Sequence, residues 1–303
     1  MMNMKGGVAV VTGGASGLGK AMAEEAARRG MKVVIADVEA GAMEQAVADL
    51  RTSGAEAIGV LTDVTSAASV EALAVATEQN FGPANLLFNN AGVASGGPIW
   101  ESTEKDWKWL FGVNVDGVAN GVRSFTPRML AAAAADPRYE GRIVNTASMA
   151  GLVTAPGMGI YSVSKHAVLA MSECLYHDLD LIGRQVRAAV LCPFYVSTNI
   201  SQCYRNRPAD LANDSGPTRS QLATQAISAK DLANGTLTPE AVAAITFKAI
   251  EEDRFYIYPS PEQLPIVRSR LDHLGNGTNP DIPYDDIPMF KARRDSLKAA
   301  LVG

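Results

Sequence analysis

Cysteine and histidine are scarce in this chain, with three of each in 303 residues. The cysteines, Cys174, Cys192 and Cys203, are too few for a disulfide framework and suit a reducing cytosol. The histidines, His166, His177 and His273, join no Cys/His cluster with zinc spacing, so no metal site is expected. A basic excess is missing too. The net charge is −5 and the pI about 5.3, which argues against nucleic acid or an anionic membrane as partner. No apolar run approaches the roughly 18 residues of a membrane helix. The first residues, with one lysine and an apolar run broken by glycines, lack the shape of a signal peptide. A cytoplasmic protein is expected. Solenoid-period repeats are also absent. Apolar side chains, by contrast, are plentiful. With 47% hydrophobic residues against 19% charged, the chain can bury a large core and cannot be mainly disordered.

Short β-branched runs alternate with helical stretches along most of the length. Strands are expected at residues 8–11, 32–36, 57–61, 86–88, 142–145, 186–191 and 255–258. Helices are expected at 18–30, 42–53, 67–81, 104–135, 159–182 and 239–252. Strands this apolar belong where helices cover both faces, in a parallel sheet. The fold class is therefore α/β, a Rossmann-type doubly wound sheet of seven parallel strands. The whole chain, 1–303, is expected to form one domain with its core at about 6–258. Two stretches depart from this rhythm. Residues 197–238 are polar and helix-poor, and a connection of that length is expected to be a substrate lid. Residues 259–303 carry six prolines and are expected to be an appended tail with one or two short helices.

The first strand runs into Thr12-Gly13-Gly14-Ala15-Ser16-Gly17-Leu18-Gly19, which opens directly into a helix. Glycines 13, 17 and 19 let the backbone, with Ser16 and Leu18, approach a pyrophosphate at the positive helix N-terminus. About twenty residues on, at the end of the second strand, stands Asp37. A carboxylate there accepts from both ribose hydroxyls of an adenosine and repels a 2′-phosphate. Val38 and Ser16 are neutral, so no adjacent base welcomes that phosphate, and NAD is expected over NADP. Asp63 and Val64, after the third strand, are placed to hold the adenine edge. Asn89, Asn90, Ala91 and Gly92 close the fourth strand at the same carboxyl edge, where open α/β sheets bind ligands.

Tyr161 and Lys165 lie four apart at the start of a helix, which puts phenol and ammonium on one face. Ser148 follows the fifth strand on the same sheet edge. Asn114 falls inside the long fourth helix, where a polar residue is either solvated or supports water at a bend.

Together these residues resemble the short-chain dehydrogenase/reductase family, in the branch with TGxxxGxG and YxxxK motifs, from about Gly6 to Tyr258. The resemblance implies that Asn114, Ser148, Tyr161 and Lys165 form a catalytic tetrad. Tyr161 would be the general acid/base, and Ser148 would orient the substrate oxygen. Lys165 would hold the nicotinamide ribose and lower the phenol's pKa, and Asn114 would support a water leading to solvent. Pro193, Val196 and Thr198 would contact the nicotinamide end, with Val196 and Thr198 at the carboxamide. Phe194 stands where the family usually has glycine. It or Tyr195 is expected to wall an aromatic-friendly pocket with Met149, Met158 and Tyr204. Residues 112–129 and 198–208 resemble members that oxidise the benzylic alcohol of lignin-derived aryl ethers. Many members end soon after the seventh strand, whereas this chain continues to Gly303. The implied activity is NAD-dependent interconversion of a bulky or aryl secondary alcohol and its ketone, by a homodimer or homotetramer. An NADPH-dependent ketone reductase is disfavoured by Asp37. A non-catalytic nucleotide-binding protein is disfavoured because it has no need for the four residues together.

Overall fold

Alternation along the strands sorts the molecule into layers. In β1 (Val8–Thr12), Val8 and Val10 enter one apolar cluster, while Ala9 and Val11 enter another. Successive side chains of a strand point to opposite faces, so an unbroken apolar run feeds two cores at once. β2 (Lys32–Asp37), β3 (Ala57–Leu61), β4 (Leu86–Asn89), β5 (Gly141–Thr146), β6 (Val186–Leu191) and β7 (Tyr256–Ile257) complete the sheet. Its order is β3-β2-β1-β4-β5-β6-β7, and every pairing is parallel. The computed structural model describes residues 2–280 and 288–302.

The helices are α1 (Gly17–Arg28), α2 (Ala40–Thr52), α3 (Ala67–Phe81), α4 (Glu104–Phe111), α5 (Gly117–Ala135), α6 (Gly159–Ile182), α7 (Arg219–Ala233), α8 (Pro239–Glu251), α9 (Leu264–Asn276) and α10 (Pro288–Val302). Met22 of α1, Val47 of α2 and Phe247 of α8 fill the first cluster, with Ala9 and Val11. Leu73 of α3, Phe125 of α5 and Leu179 of α6 fill the second, with Val8 and Val10. Phe247 packs on Phe88 of β4 at 5.5 Å between centroids. Truncating such a buried ring to alanine costs about 3–5 kcal/mol. Among the described residues no helix is long and apolar enough to cross a membrane.

The chain runs outward from β1 to β3, then returns to place β4 on the other side of β1. The strand order reverses there, and a crevice opens at the carboxyl ends of the two strands. Thr12 ties the crevice together. Its hydroxyl donates to the Phe88 carbonyl and accepts from the amides of Asn90 and Ala91, at 2.9 and 3.1 Å.

Four expectations need correction. The helix expected at 104–135 is two helices joined by a π-helical turn over Gly112–Asp116. The widened turn carries Asn114 fully inside, where its side chain bonds the backbone of Val93 instead of meeting solvent. The 197–238 stretch is not helix-poor. It holds a 3₁₀ segment, Asn199–Asn206, and the 15-residue α7. The reason is its start. Thr218 and Gln221 form a capping box, which satisfies two amides that a polar helix would otherwise leave open. The tail carries two helices of 13 and 15 residues, longer than expected, and Pro283 lies outside the described residues. The seventh strand is only Tyr256–Ile257, the two residues that pair with β6 at the sheet's edge.

Candidate active site

A cleft of about 480 Å³ runs along the crevice from Asp37 at one end to Ser148, Tyr161 and Lys165 at the other. The residues expected to touch the cofactor line it, from Gly13 through Gly92 to Thr198, while Asn89 is buried in the sheet and donates to Asn145. At its start Gly17 has φ of 50°, a value that L side chains seldom adopt. Gly19 is packed so tightly that an added Cβ would fall 2.0 Å from the Gly13 carbonyl oxygen. Ser16 stands at the N-cap of α1, yet no side chain caps the helix. Its first amides therefore line the cleft as uncapped donors, the arrangement that accepts an anion.

Asp37 is held by the amides of Ala15, at 3.0 Å to Oδ2, and Glu39, at 3.1 Å to Oδ1. A carboxylate has about four acceptor positions, so two remain for a ribose. Asp63 is exposed, with Oδ1 occupied by the amide and hydroxyl of Thr65. The Val64 carbonyl already accepts from the Asn120 amide at 2.9 Å.

One inference from sequence neighbours fails. A base does reach the Asp37 end, but it comes from far along the chain. Arg205 donates to Glu39 Oε1 at 2.6 Å and Oε2 at 3.3 Å, and Asn206 donates to Oε1 at 2.8 Å. This partner holds the Glu39 carboxyl below its ordinary pKa. The pair bridges from the end of β2 to the segment after β6 and lines the cleft. Nothing adjacent to Asp37 in sequence could have disclosed it.

At the other end, Lys165 is 4% exposed and donates from Nζ to the Thr146 carbonyl at 2.8 Å. Burial lowers its pKa to about 8, so at pH 7 it remains an ammonium. Nζ lies 5.8 Å from the centroid of the Tyr161 ring. Burial pushes the Tyr161 phenol up to about 12, with a hydrogen bond to Ser148 working in the opposite direction. Ser148 caps the short turn that follows β5, accepting from the Ala150 amide at 3.1 Å. Asn114 does not line the cleft. Its side chain accepts from the Val93 amide at 2.8 Å and donates to the Val93 carbonyl at 3.0 Å and to Ser164 Oγ at 3.1 Å. Ser164 in turn donates to the Tyr161 carbonyl. Asn114 thus ties the end of β4 to the helix that carries Tyr161 and Lys165.

A second, apolar pocket of about 150 Å³ adjoins the cleft. Ser148, Met149, Met158, Tyr161, Phe194, Tyr195 and Tyr204 all line it. Phe194 needs no glycine-like backbone: among the described residues, Asp253 is the one non-glycine with positive φ. Its ring packs on Tyr195 at 4.6 Å and on Phe290 at 6.3 Å. Sequence reasoning missed Gln225, Ser228 and Leu232 of α7 and Phe290 of α10 in this lining. It also missed Trp109 and Cys203 in the cleft. The Thr-x-x-Gln signature before α7 was the one signal available. Among the described residues, no three His, Cys, Asp or Glu side chains gather closely enough to hold a metal ion.

Comparison with known proteins agrees with this geometry. The family model for short chain dehydrogenase matches residues 7–209. A solved short-chain dehydrogenase/reductase from Burkholderia phymatum, in complex with NAD, superposes with a TM-score of 0.91 at 49% identity, over 93% of this chain and 99% of that one. A CLA biosynthesis dehydrogenase/reductase of Lactiplantibacillus plantarum is 33% identical over 94% of this chain and 99% of its own length. A C alpha-dehydrogenase of Sphingobium sp. is 35% identical over 86% of this chain and 83% of its own. The strand order, the crevice at β1 and β4 and these likenesses lead to one conclusion: the chain belongs to the short-chain dehydrogenase/reductase family and is an oxidoreductase of that family.

Proposed function

We propose that the protein interconverts a secondary alcohol and its ketone with NAD as cofactor, Tyr161 being the general acid/base. The observation that carries this reading is that Ser148 and Tyr161 line both the long cleft and the apolar pocket. A substrate oxygen held between these two hydroxyls has its carbon facing the cleft and its larger group in the pocket.

The cleft fits the cofactor that the family uses. The uncapped amides of α1 suit a pyrophosphate, and the fixed carboxylate of Asp37 suits a ribose diol. Tyr161, Lys165, Pro193, Val196 and Thr198 would hold the nicotinamide end. A nicotinamide bound there supplies the hydride acceptor for alcohol oxidation and the hydride donor for ketone reduction.

Tyr161 moves the proton. With its pKa raised it is a neutral phenol at pH 7, the state that donates to the oxygen of a ketone under reduction. In oxidation it must take the proton from the alcohol, and phenolate then needs a cation close by. Lys165 is that cation, buried where its field is little screened. Ser148 donates to the substrate oxygen and fixes it against Tyr161. Asn114 acts through α6, holding the Tyr161 turn in register.

Asp37 favours NAD by repelling a 2′-phosphate, and Glu39 already pairs with Arg205 at that end. The pocket volume of about 150 Å³ is that of an apolar cavity able to hold a benzene ring, so a ring-sized group on the alcohol carbon fits. The dehydrogenase names of the relatives agree with this class of reaction.

The test is Tyr161→Phe, with NADH absorbance followed over a panel of aryl and alicyclic secondary alcohols. Turnover is expected to fall about 10²–10⁴-fold, with NAD affinity retained. Undiminished turnover would refute the role. NAD and NADP affinities are measured alongside, and a clear preference for NADP sinks the cofactor reading.

A further inference from the structure

The tail beyond β7 lies outside the sheet, yet part of it returns to the substrate pocket. Phe290, near the start of α10, is buried and lines the pocket together with Tyr161 and Ser148. Its ring meets Phe194, and it clusters with Ile266 of α9 and with Val153 and Ala155. One helical turn on, Arg293 is 2% exposed. It stands behind the pocket wall and does not line the pocket itself.

Arg293 reaches each part of that wall. Nη1 and Nη2 donate to Ser228 Oγ of α7 at 3.4 and 3.3 Å, and Nε donates to the Pro156 carbonyl at 3.3 Å. Nη2 also lies 3.1 Å from Met158 Sδ. Asp231, one turn along α7 from Ser228, pairs with Nη1 at 3.7 Å. Tyr195 lies beside this pair, and both charges act on its phenol. Of these residues, Ser228, Met158 and Tyr195 line the pocket. A buried guanidinium carries a desolvation cost that only several fixed partners offset. Here those partners come from two separate stretches of chain, 156–158 and 228–231. Further along α10, buried Leu297 lies close against Gly157, and α10 runs in contact with α7.

We propose that α10 closes one side of the substrate pocket and sets the size of group admitted, with Phe290 as a specificity-determining wall residue and Arg293 as a positioning residue that holds α7 and Met158 around it. This rests on the reading of the 150 Å³ pocket as the substrate site. It assigns the tail to substrate selection, while the cofactor cleft is built without it.

Phe290→Ala and Arg293→Met test this, with Arg293→Lys as the conservative partner. Affinities for acetophenone and 2-acetonaphthone are measured by saturation-transfer NMR on NAD-loaded protein, a pairing that cannot turn over, and on the cofactor-free protein. Phe290→Ala is expected to shift the affinity ratio toward the naphthyl ketone by about tenfold, with NAD affinity within about twofold. Hydrogen exchange on the unliganded protein reads the second role. Arg293→Met is expected to speed exchange in residues 219–233 about tenfold while the sheet amides stay unchanged, and Arg293→Lys should recover part of the protection. An unchanged ketone ratio, or binding of neither ketone by either form, overturns the role of Phe290. Unchanged exchange in α7, or loss of protection across the whole sheet, overturns that of Arg293. Failure to bind NAD would refute the cofactor reading and leave both of these measurements decisive.

Discussion

The two ends of the site are held in different ways. The end proposed for adenosine rests on the sheet. Asp37 terminates β2, the glycine turn leaves β1, and backbone amides fix the carboxylate, so the sheet edge sets most of the geometry and the Arg205–Glu39 pair adds one bridge. The substrate end has no such floor. Its walls come from the segments after β4, β5 and β6, from α7 and from α10, and side chains hold them together. Arg207 donates to Asp106 at 2.7 Å with both side chains buried, and Asn213 shares the same carboxylate. Arg207 also lies over the Trp109 ring at 5.1 Å, and Trp109 packs on Tyr204 at 5.2 Å. A site of this kind can change its substrate by altering clamps while its cofactor end stays as it is.

The comparison can be broken by substitution. At the reacting centre, Lys165→Met should lower turnover by about 10²-fold or more with little change in melting temperature, because strand pairing around it is intact. A collapse of the melting temperature in circular dichroism would show that chemistry and fold are not separable there. At the clamps, Arg207→Met should do the reverse. Leaving the buried Asp106 charge without its cation costs up to about 3–5 kcal/mol, less what its bonds to Asn213 and Thr103 retain, read as a lower urea midpoint, and the KM for alcohol should rise more than the KM for NAD. At the adenosine end, Asp37→Ala should weaken NAD binding about tenfold or more while NADP binding improves. Adding Glu39→Gln releases Arg205 and should favour NADP a further few-fold, as measured by nucleotide titration. If the second change adds nothing, Arg205 has no reach to the phosphate.

The smallest effect is one of pH. The folded pKa of Lys165 is lowered to about 8 from an ordinary 10.5. Between those values the unfolded chain binds more protons at this lysine than the folded one does. Its contribution therefore makes stability rise as pH climbs from 8 toward 10.5. Urea midpoints across that window should rise less in Lys165→Met than in the unaltered protein. An identical profile would mean that the lysine is not titrating there.

How much was legible in the sequence follows the same division. The glycine turn and Asp37 lie within about two dozen residues and are read by local spacing, and the apolar strands between them announce both covered faces. Tyr161 and Lys165 share one helix face, so they too are visible locally. Asn114 was visible as a residue but not in its setting, because a π turn leaves no composition signal. Arg205 meets Glu39 across 166 residues, and Phe290 meets Phe194 across the whole C-terminal part. Such contacts are decided by packing, which no window on the sequence contains. α7 was hidden for a related reason. It buries mainly Ser220 and Thr224, so its inward face is polar and lacks the apolar period that marks a helix.

The π turn at Gly112–Asp116 has one more consequence. A π turn is one residue longer than the α-helical turn it replaces, so the helix running from α4 to α5 behaves as though it carried an insertion. Deleting Val113 would let the wide turn close to an ordinary α-helical one, and the later residues of α5 would keep their phase, since the bulge alone absorbs the extra residue. Asn120 would still reach the Val64 carbonyl, and Arg128 would still reach Glu71 and Glu78. What the surplus residue secures is local, the inward placement of Asn114 against Val93.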